Sequence, residues 1–167
     1  MAPYVIPRYR SYTRWWHSKV FSLLIGSFVY LAIGVAVTIL FVISSTQAAQ
    51  SIDFMNLGIS LCLVFLHLFL ISQLILASHT LFSNQHAIAL GALGLEGLTL
   101  FFAMLNANVS RFLFGTWGML YRSSLSNPSY GFDVGTTLLV QAIVCAIIIV
   151  SMPSVLKKRG VFSATRI

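Results

Sequence analysis

Apolar residues fill this chain in four long stretches, 20–44, 57–81, 87–105 and 134–152, parted by shorter polar or aromatic segments. A run of about 18 or more such residues, rising about 1.5 Å each, crosses a hydrocarbon core of about 30 Å as a helix. Helix is the required conformation, because backbone polar groups in lipid must be paired within the segment. The alternating strands of about ten residues that build membrane barrels are absent. The pattern predicts an all-α integral membrane protein with four transmembrane helices, short loops, and both termini on the same side.

Composition agrees: 58% of residues are hydrophobic and 8% charged, against about 25% charged in a soluble domain, which removes an ordinary soluble enzyme. Ten Lys and Arg face three acids, for a net charge of +7. In a soluble protein that balance would suggest nucleic acid; in a chain made mostly for lipid it reads as topology, and no nucleic-acid partner is implied. Arg8, Arg10, Arg14 and Lys19 precede the first span, and Lys157, Lys158, Arg159 and Arg166 follow the last. On the other side Arg111 and Arg122 cancel Asp53 and Asp133. The positive-inside bias then sets both termini in the cytoplasm, or in the matrix of a mitochondrion.

The basic, aromatic arm 1–19 contains no acid, a composition shared by mitochondrial import sequences and interfacial anchors, and the first span is too long and too late for a secretory signal. Cys62 and Cys145 sit singly in apolar runs and offer neither a disulfide framework nor a CxxC site. The link 82–86 forces antiparallel neighbours. The link 106–133 is long, and its aromatic stretch 109–122, with Phe112, Phe114, Trp117 and Tyr121, is expected to lie in the membrane interface. Asn127-Pro128 and Gly131 mark turns before the last span, and a short tail, 160–167, closes the chain.

Three spans each carry one strongly polar side chain near mid-depth: His67, Glu96 and Gln141. An ionisable group there costs about 2.5–3.5 kcal/mol on insertion scales, so Glu96 must face protein or water and is a functional candidate by default. At helical steps of three, four and seven its face carries Ala89, Ala92, Thr99, Ala103 and Asn106, whereas Leu90, Leu98, Phe101 and Phe102 project elsewhere, so a close neighbour should cover the small side. Gln141 shares a face with Thr137 and Cys145, and His67 with Ser60. Gly91, Gly94 and Gly97, and Gly26 with Gly34, read as close-packing positions. The chemistry these side chains offer is a proton relay at Glu96 with His67 and Gln141 as neighbours; interhelical hydrogen bonding alone is the plainer reading. A haem on His67 would want a second axial His at similar depth, and His79, His86 and His17 lie toward the surface or in the arm. No cofactor or metal site is expected in this chain.

From His86 the third span runs HAIALGALGLEGLTLFFAMLNAN, and its core Leu95-Glu96-Gly97-Leu98, with Phe101 to Met104, resembles the glutamate-bearing helix of the smallest core membrane subunit of respiratory complex I, the NADH dehydrogenase chain of the four-L type. That family has three helices, the last with a second glutamate in a pattern like E-A-x-x-G-L-A-L-L. Here Gln141-Ala142-Ile143-Val144-Cys145-Ala146 fits the frame with Gln in place of Glu, and the basic Lys157-Lys158-Arg159 stands where the family ends. The resemblance covers 57–159 and leaves the arm and the first span as additions. The link from Glu96 to Gln141 is longer than in the family, and Asn84, Gln85 and His86 replace its usual basic residues.

The resemblance implies a membrane-arm subunit of NADH:ubiquinone oxidoreductase in the mitochondrial inner membrane, with matrix termini. Glu96 would carry protons, Gln141 would be unable to titrate, and other subunits would handle quinone and NADH. Two other readings stand beside it: a tetraspan scaffold of the MARVEL type in a plasma or endomembrane with cytoplasmic termini, and an accessory subunit of another mitochondrial assembly such as ATP synthase. A scaffold needs no mid-membrane acid. Since one carboxyl cannot form a transmembrane path, the partners expected are other membrane subunits and lipid.

Overall fold

The computed structural model describes residues 11–44, 54–81, 85–105, 113–119, 123–126, 128 and 131–158. The arm to residue 10, Asp53, Asn106, Arg111, Phe112, Tyr121, Arg122, Arg159 and the tail lie outside them. Four helices make up nearly all of the described chain: α1 (Tyr12–Ser44), α2 (Phe54–Leu81), α3 (Gln85–Leu105) and α4 (Val134–Lys158), with a single 3-10 turn, Phe114–Thr116, between α3 and α4. Within these, Tyr12–Leu40, Met55–Leu81 and Val134–Lys158 are long and apolar enough to cross a membrane.

Two helices outrun their apolar stretches. α1 starts at Tyr12 instead of residue 20 because Ser11 caps it: the Ser11 hydroxyl accepts from the Arg14 N–H at 3.1 Å, and its carbonyl from the Trp15 N–H at 3.2 Å. Residues 12–19 of the expected arm are therefore helical. At the other end, α4 runs through Pro153 to Lys158 instead of stopping at residue 152. Proline forfeits one backbone bond, but its neighbours on both sides keep the helical path in surroundings where no other conformation pairs the backbone. Asp133 starts α4: the Thr136 hydroxyl first, and then the Thr136 N–H at 2.7 Å from Oδ2, donate to its carboxyl and hold it below the usual carboxylate range.

The buried stripes show how the helices meet. On α4 they are Val134, Thr137, Gln141, Cys145, Met152 and Leu156, at helical steps. One core joins Trp16 and Val20 of α1, Phe69, Leu70 and Ala77 of α2, and Cys145, Met152 and Leu156 of α4. A second joins Leu63 to Phe132 and Val134, with Ile59, Trp117 and Leu138 against them. The first half of α1 thus packs on the second halves of α2 and α4, so α2 and α4 run parallel and α1 opposes both. The start of α1 and the end of α4, carrying exposed Arg14, Lys19, Lys157 and Lys158, fall at one end of the bundle. α3 packs against α2 and against the turn.

Outward surfaces are apolar, with Phe21 and Phe28 each 63% and Val150 76% exposed. In water so much exposed hydrocarbon would drive aggregation; against lipid or neighbouring subunits it is the stable arrangement. The glycines expected to pack closely do not: a Cβ on Gly26, Gly34, Gly91, Gly94 or Gly97 would find nothing within 4 Å. All five are exposed, and Gly34 lines a cleft between α1 and α2, with Tyr30 and Thr38 on one side and Leu57 and Leu68 on the other.

Candidate functional site

His67, Glu96 and Gln141 come from three different helices and meet. His67 stands at the midpoint of α2, about 20 Å along the helix from either end. The Gln141 Nε2 lies 3.4 Å from its Nδ1, and Glu96 Oε1 lies 3.9 Å from its Nε2. His67 and Gln141 are buried, Gln141 completely, while the Glu96 side chain keeps 27% exposure.

The amide sets the histidine's tautomer. With the Gln141 nitrogen, which only donates, placed at Nδ1, that atom accepts and the neutral ring's proton sits on Nε2, facing Glu96; with the amide turned by half, Oε1 would accept from a proton on Nδ1. At 3.9 Å the ring nitrogen and the carboxylate oxygen are too far apart for a direct hydrogen bond, though close enough to attract when both are charged. Glu96 Oε1 and Gln141 Oε1 are both buried with no protein partner, so the site has acceptor capacity to spare.

Much of the cover over the small face of α3 comes from the chain between α3 and α4. A Cβ on Gly115 would overlap the Thr99 hydroxyl and stand 2.6 Å from Glu96 Oε2; one on Gly118 would stand 2.5 Å from His67 Cδ2 and 3.0 Å from Cγ. The Phe114 ring tilts over His67 with centroids 5.1 Å apart, and Trp117 backs Phe114 at 5.7 Å. Non-helical backbone thus reaches the mid-level of α2. Such a segment is tolerated at membrane depth only if protein surrounds it and its own polar groups are paired. Here Thr116 and Trp117 donate backbone N–H groups to Leu113 and Phe114 at 3.0 and 3.1 Å, Met119 donates to Thr116 at 2.9 Å, and Gly115 and Thr116 are buried. Phe114 and Trp117, expected in the membrane interface, therefore dip inward to the cluster, since two glycines let the turn close on it.

The face of Glu96 falls as its spacing suggested: Thr99 is buried and Ala92 half-buried, while Leu90, Leu98, Phe101 and Phe102 are exposed. The Thr99 hydroxyl donates to the Glu96 carbonyl at 2.8 Å. The side chains of Ala89 and Ala103 lie outside the described residues. Two polar residues that sequence reasoning passed over, Gln73 and Trp16, are fully buried in the main core, and neither the Gln73 amide nor the Trp16 Nε1 has a hydrogen-bond partner. Gly115 and Gly118 had one legible signal, a paired-glycine turn inside an unusually long loop, which is where functional loops concentrate. Among the described residues no group of three His, Cys, Asp or Glu gathers to hold a metal.

No family model, curated protein or solved structure matches this chain, so its function is argued from the cluster itself.

Proposed function

We propose that this protein is a four-span membrane subunit whose Glu96 exchanges protons with His67 inside the bilayer, as one step of a path completed by neighbouring subunits. The observation that supports it most is the 3.9 Å approach of two ionisable side chains from separate helices at mid-helix depth, with a buried carboxyl oxygen left unpartnered. In this reading α3, with its 21 residues, is the fourth span, about 32 Å long.

Transfer needs Gln141 to serve either tautomer. Nε2 can take the Glu96 proton only when the neutral ring holds its single proton on Nδ1, and the transfer then leaves His67⁺, protonated on both nitrogens, beside Glu96⁻. A half-turn of the Gln141 amide presents Oε1 to accept from Nδ1. When the proton returns to Glu96, the ring keeps its Nδ1 proton and Oε1 goes on accepting from it; the amide nitrogen donates to Nδ1 only in the other neutral tautomer. Gln141 never titrates; it stabilises both states of the histidine, and charge separated as His67⁺ and Glu96⁻ keeps its attraction in a site of low dielectric.

The assembly proposed is the membrane arm of a respiratory NADH:quinone oxidoreductase in the mitochondrial inner membrane, with both termini in the matrix. The support is the Leu95-Glu96-Gly97 resemblance and the gathering of basic residues at one end. Glu96→Gln preserves shape and hydrogen bonding and abolishes titration. It should leave assembly intact and lower quinone-linked proton pumping; normal pumping in a fully assembled variant complex leaves only the packing role. Native electrophoresis tests the assembly: co-migration with NADH:quinone oxidoreductase activity is expected, and migration solely as a small homo-oligomer would refute it.

A further inference from the structure

Beside the cluster a groove of about 370 Å³ runs between α2 and α3, lined by Ile71, Leu74, Ile75 and Ser78 on one wall and Gly91, Ala92, Leu95 and Glu96 on the other, with Phe114 at its end. Its volume falls in the range of about 300–1,000 Å³ typical of small-molecule sites. The rims Leu74, Ile75 and Leu95 are exposed, so it opens on the apolar flank of the bundle and not at a polar end. We propose that this groove binds a membrane-partitioned organic cation, a hydrocarbon body with one positive charge, which pairs with Glu96 in place of a proton.

Charge complementarity decides the occupant. Glu96 is the one charged group on the groove wall, and among the described residues the remaining acid, Asp133, stands at the start of α4. Among the described residues no Lys or Arg lines the groove; Arg14, Lys19, Lys157 and Lys158 are exposed at the basic end of the bundle. The titratable group that faces Glu96 is His67 from α2; α4 presents neutral Gln141, and the turn presents Gly115. Phe114 also lines the groove, and a cation that reached the face of its ring would gain attraction that a neutral or anionic head would not. Gly91 keeps the wall slim, with nothing within 4 Å of where its Cβ would be. Cation and proton exclude one another at Glu96, so uptake of the cation displaces the proton from those chains that carry one.

This inference shares Glu96 with the proton-exchange reading but does not depend on the assembly. Its test is equilibrium dialysis of radiolabelled tetraphenylphosphonium against the full chain in zwitterionic nanodiscs, with empty discs subtracted. Because the probe's charge is permanent, any pH dependence belongs to the protein. Expected are saturable binding that weakens as pH falls, a loss of about tenfold or more in Glu96→Gln, the worth of one charge-assisted contact, and a comparable loss in Gly91→Leu. The Gly91→Leu variant fills the groove without touching the cluster, and so decides the matter if Glu96→Gln fails to fold. Unchanged binding in Gly91→Leu, or equal binding of tetraphenylborate or neutral triphenylmethanol, would overturn the proposal. Infrared detection of a titrating Glu96 carboxyl needs no cation, so a chain that titrates without binding the probe loses this inference alone.

Discussion

Gly118→Ala should destabilise the protein by pushing the His67 ring off its perch. A Cβ there would stand 2.5 Å from Cδ2, 3.0 Å from Cγ and 3.2 Å from Nε2, where carbon contacts settle at about 3.5–4.0 Å. The ring must therefore move by about 1 Å, and it is held between Phe114 on one side and Gln141 at 3.4 Å on the other. Overpacking of this kind costs about 1–3 kcal/mol, and a lost neutral hydrogen bond about 0.5–1.5 kcal/mol more. Against that, alanine restricts the unfolded chain and returns about 0.4–1 kcal/mol. The net expectation is about 0.5–4 kcal/mol of destabilisation, centred on about 2, read by reversible SDS unfolding in detergent micelles. Gly94→Ala, where nothing lies within 4 Å, is the control and should not destabilise. In a His67→Ala background the space is vacated and the Gly118→Ala penalty should vanish. A penalty undiminished in that background, or a Gly118→Ala protein as stable as the parent, would refute the placement of the turn against His67.

Gln73 is fully buried with both amide atoms unpartnered, so Gln73→Leu should raise stability in the same assay by about 1–3 kcal/mol, the desolvation cost of such a group. Asp133→Ala should destabilise the start of α4. Because its carboxyl is held below the ordinary range when folded, the cap's contribution is full above the unfolded pKa and is lost as pH falls through the lowered one; Asp133→Asn should keep the cap and remove that acid-side dependence. With Cys62 and Cys145 replaced, single cysteines at Met1 and Ile167 should react with an impermeant reagent from the same face of the membrane, and reaction from opposite faces would exclude an even number of spans.

The helices were legible because their signal is length: each apolar run lies wholly or almost wholly within an observed helix. The ends were less so, since the Ser11 cap and the passage through Pro153 extend α1 and α4 by interactions outside the hydropathy pattern. His67, Glu96 and Gln141 stood out because a polar side chain at mid-span is expensive. Their meeting was not readable, since it depends on α2 running parallel to α4 and on α3 packing against α2. The inward course of Phe114 to Gly118 was least visible, because an aromatic loop has the composition of an interfacial segment whether it lies on the membrane or dips between helices; only contact with Thr99, Glu96 and His67 distinguishes the two. Gly91, Gly94 and Gly97 mislead for a related reason: small residues permit a close neighbour and do not supply one.

The claim that Glu96 exchanges protons is tested most directly by infrared difference spectroscopy of the membrane-reconstituted protein while pH is stepped. A protonated-carboxyl band should appear and disappear reversibly, be missing in Glu96→Gln, and shift when His67→Ala removes the ring 3.9 Å away. A band that keeps its intensity at every pH at which the protein stays folded, or one unaffected by Glu96→Gln, would contradict the account.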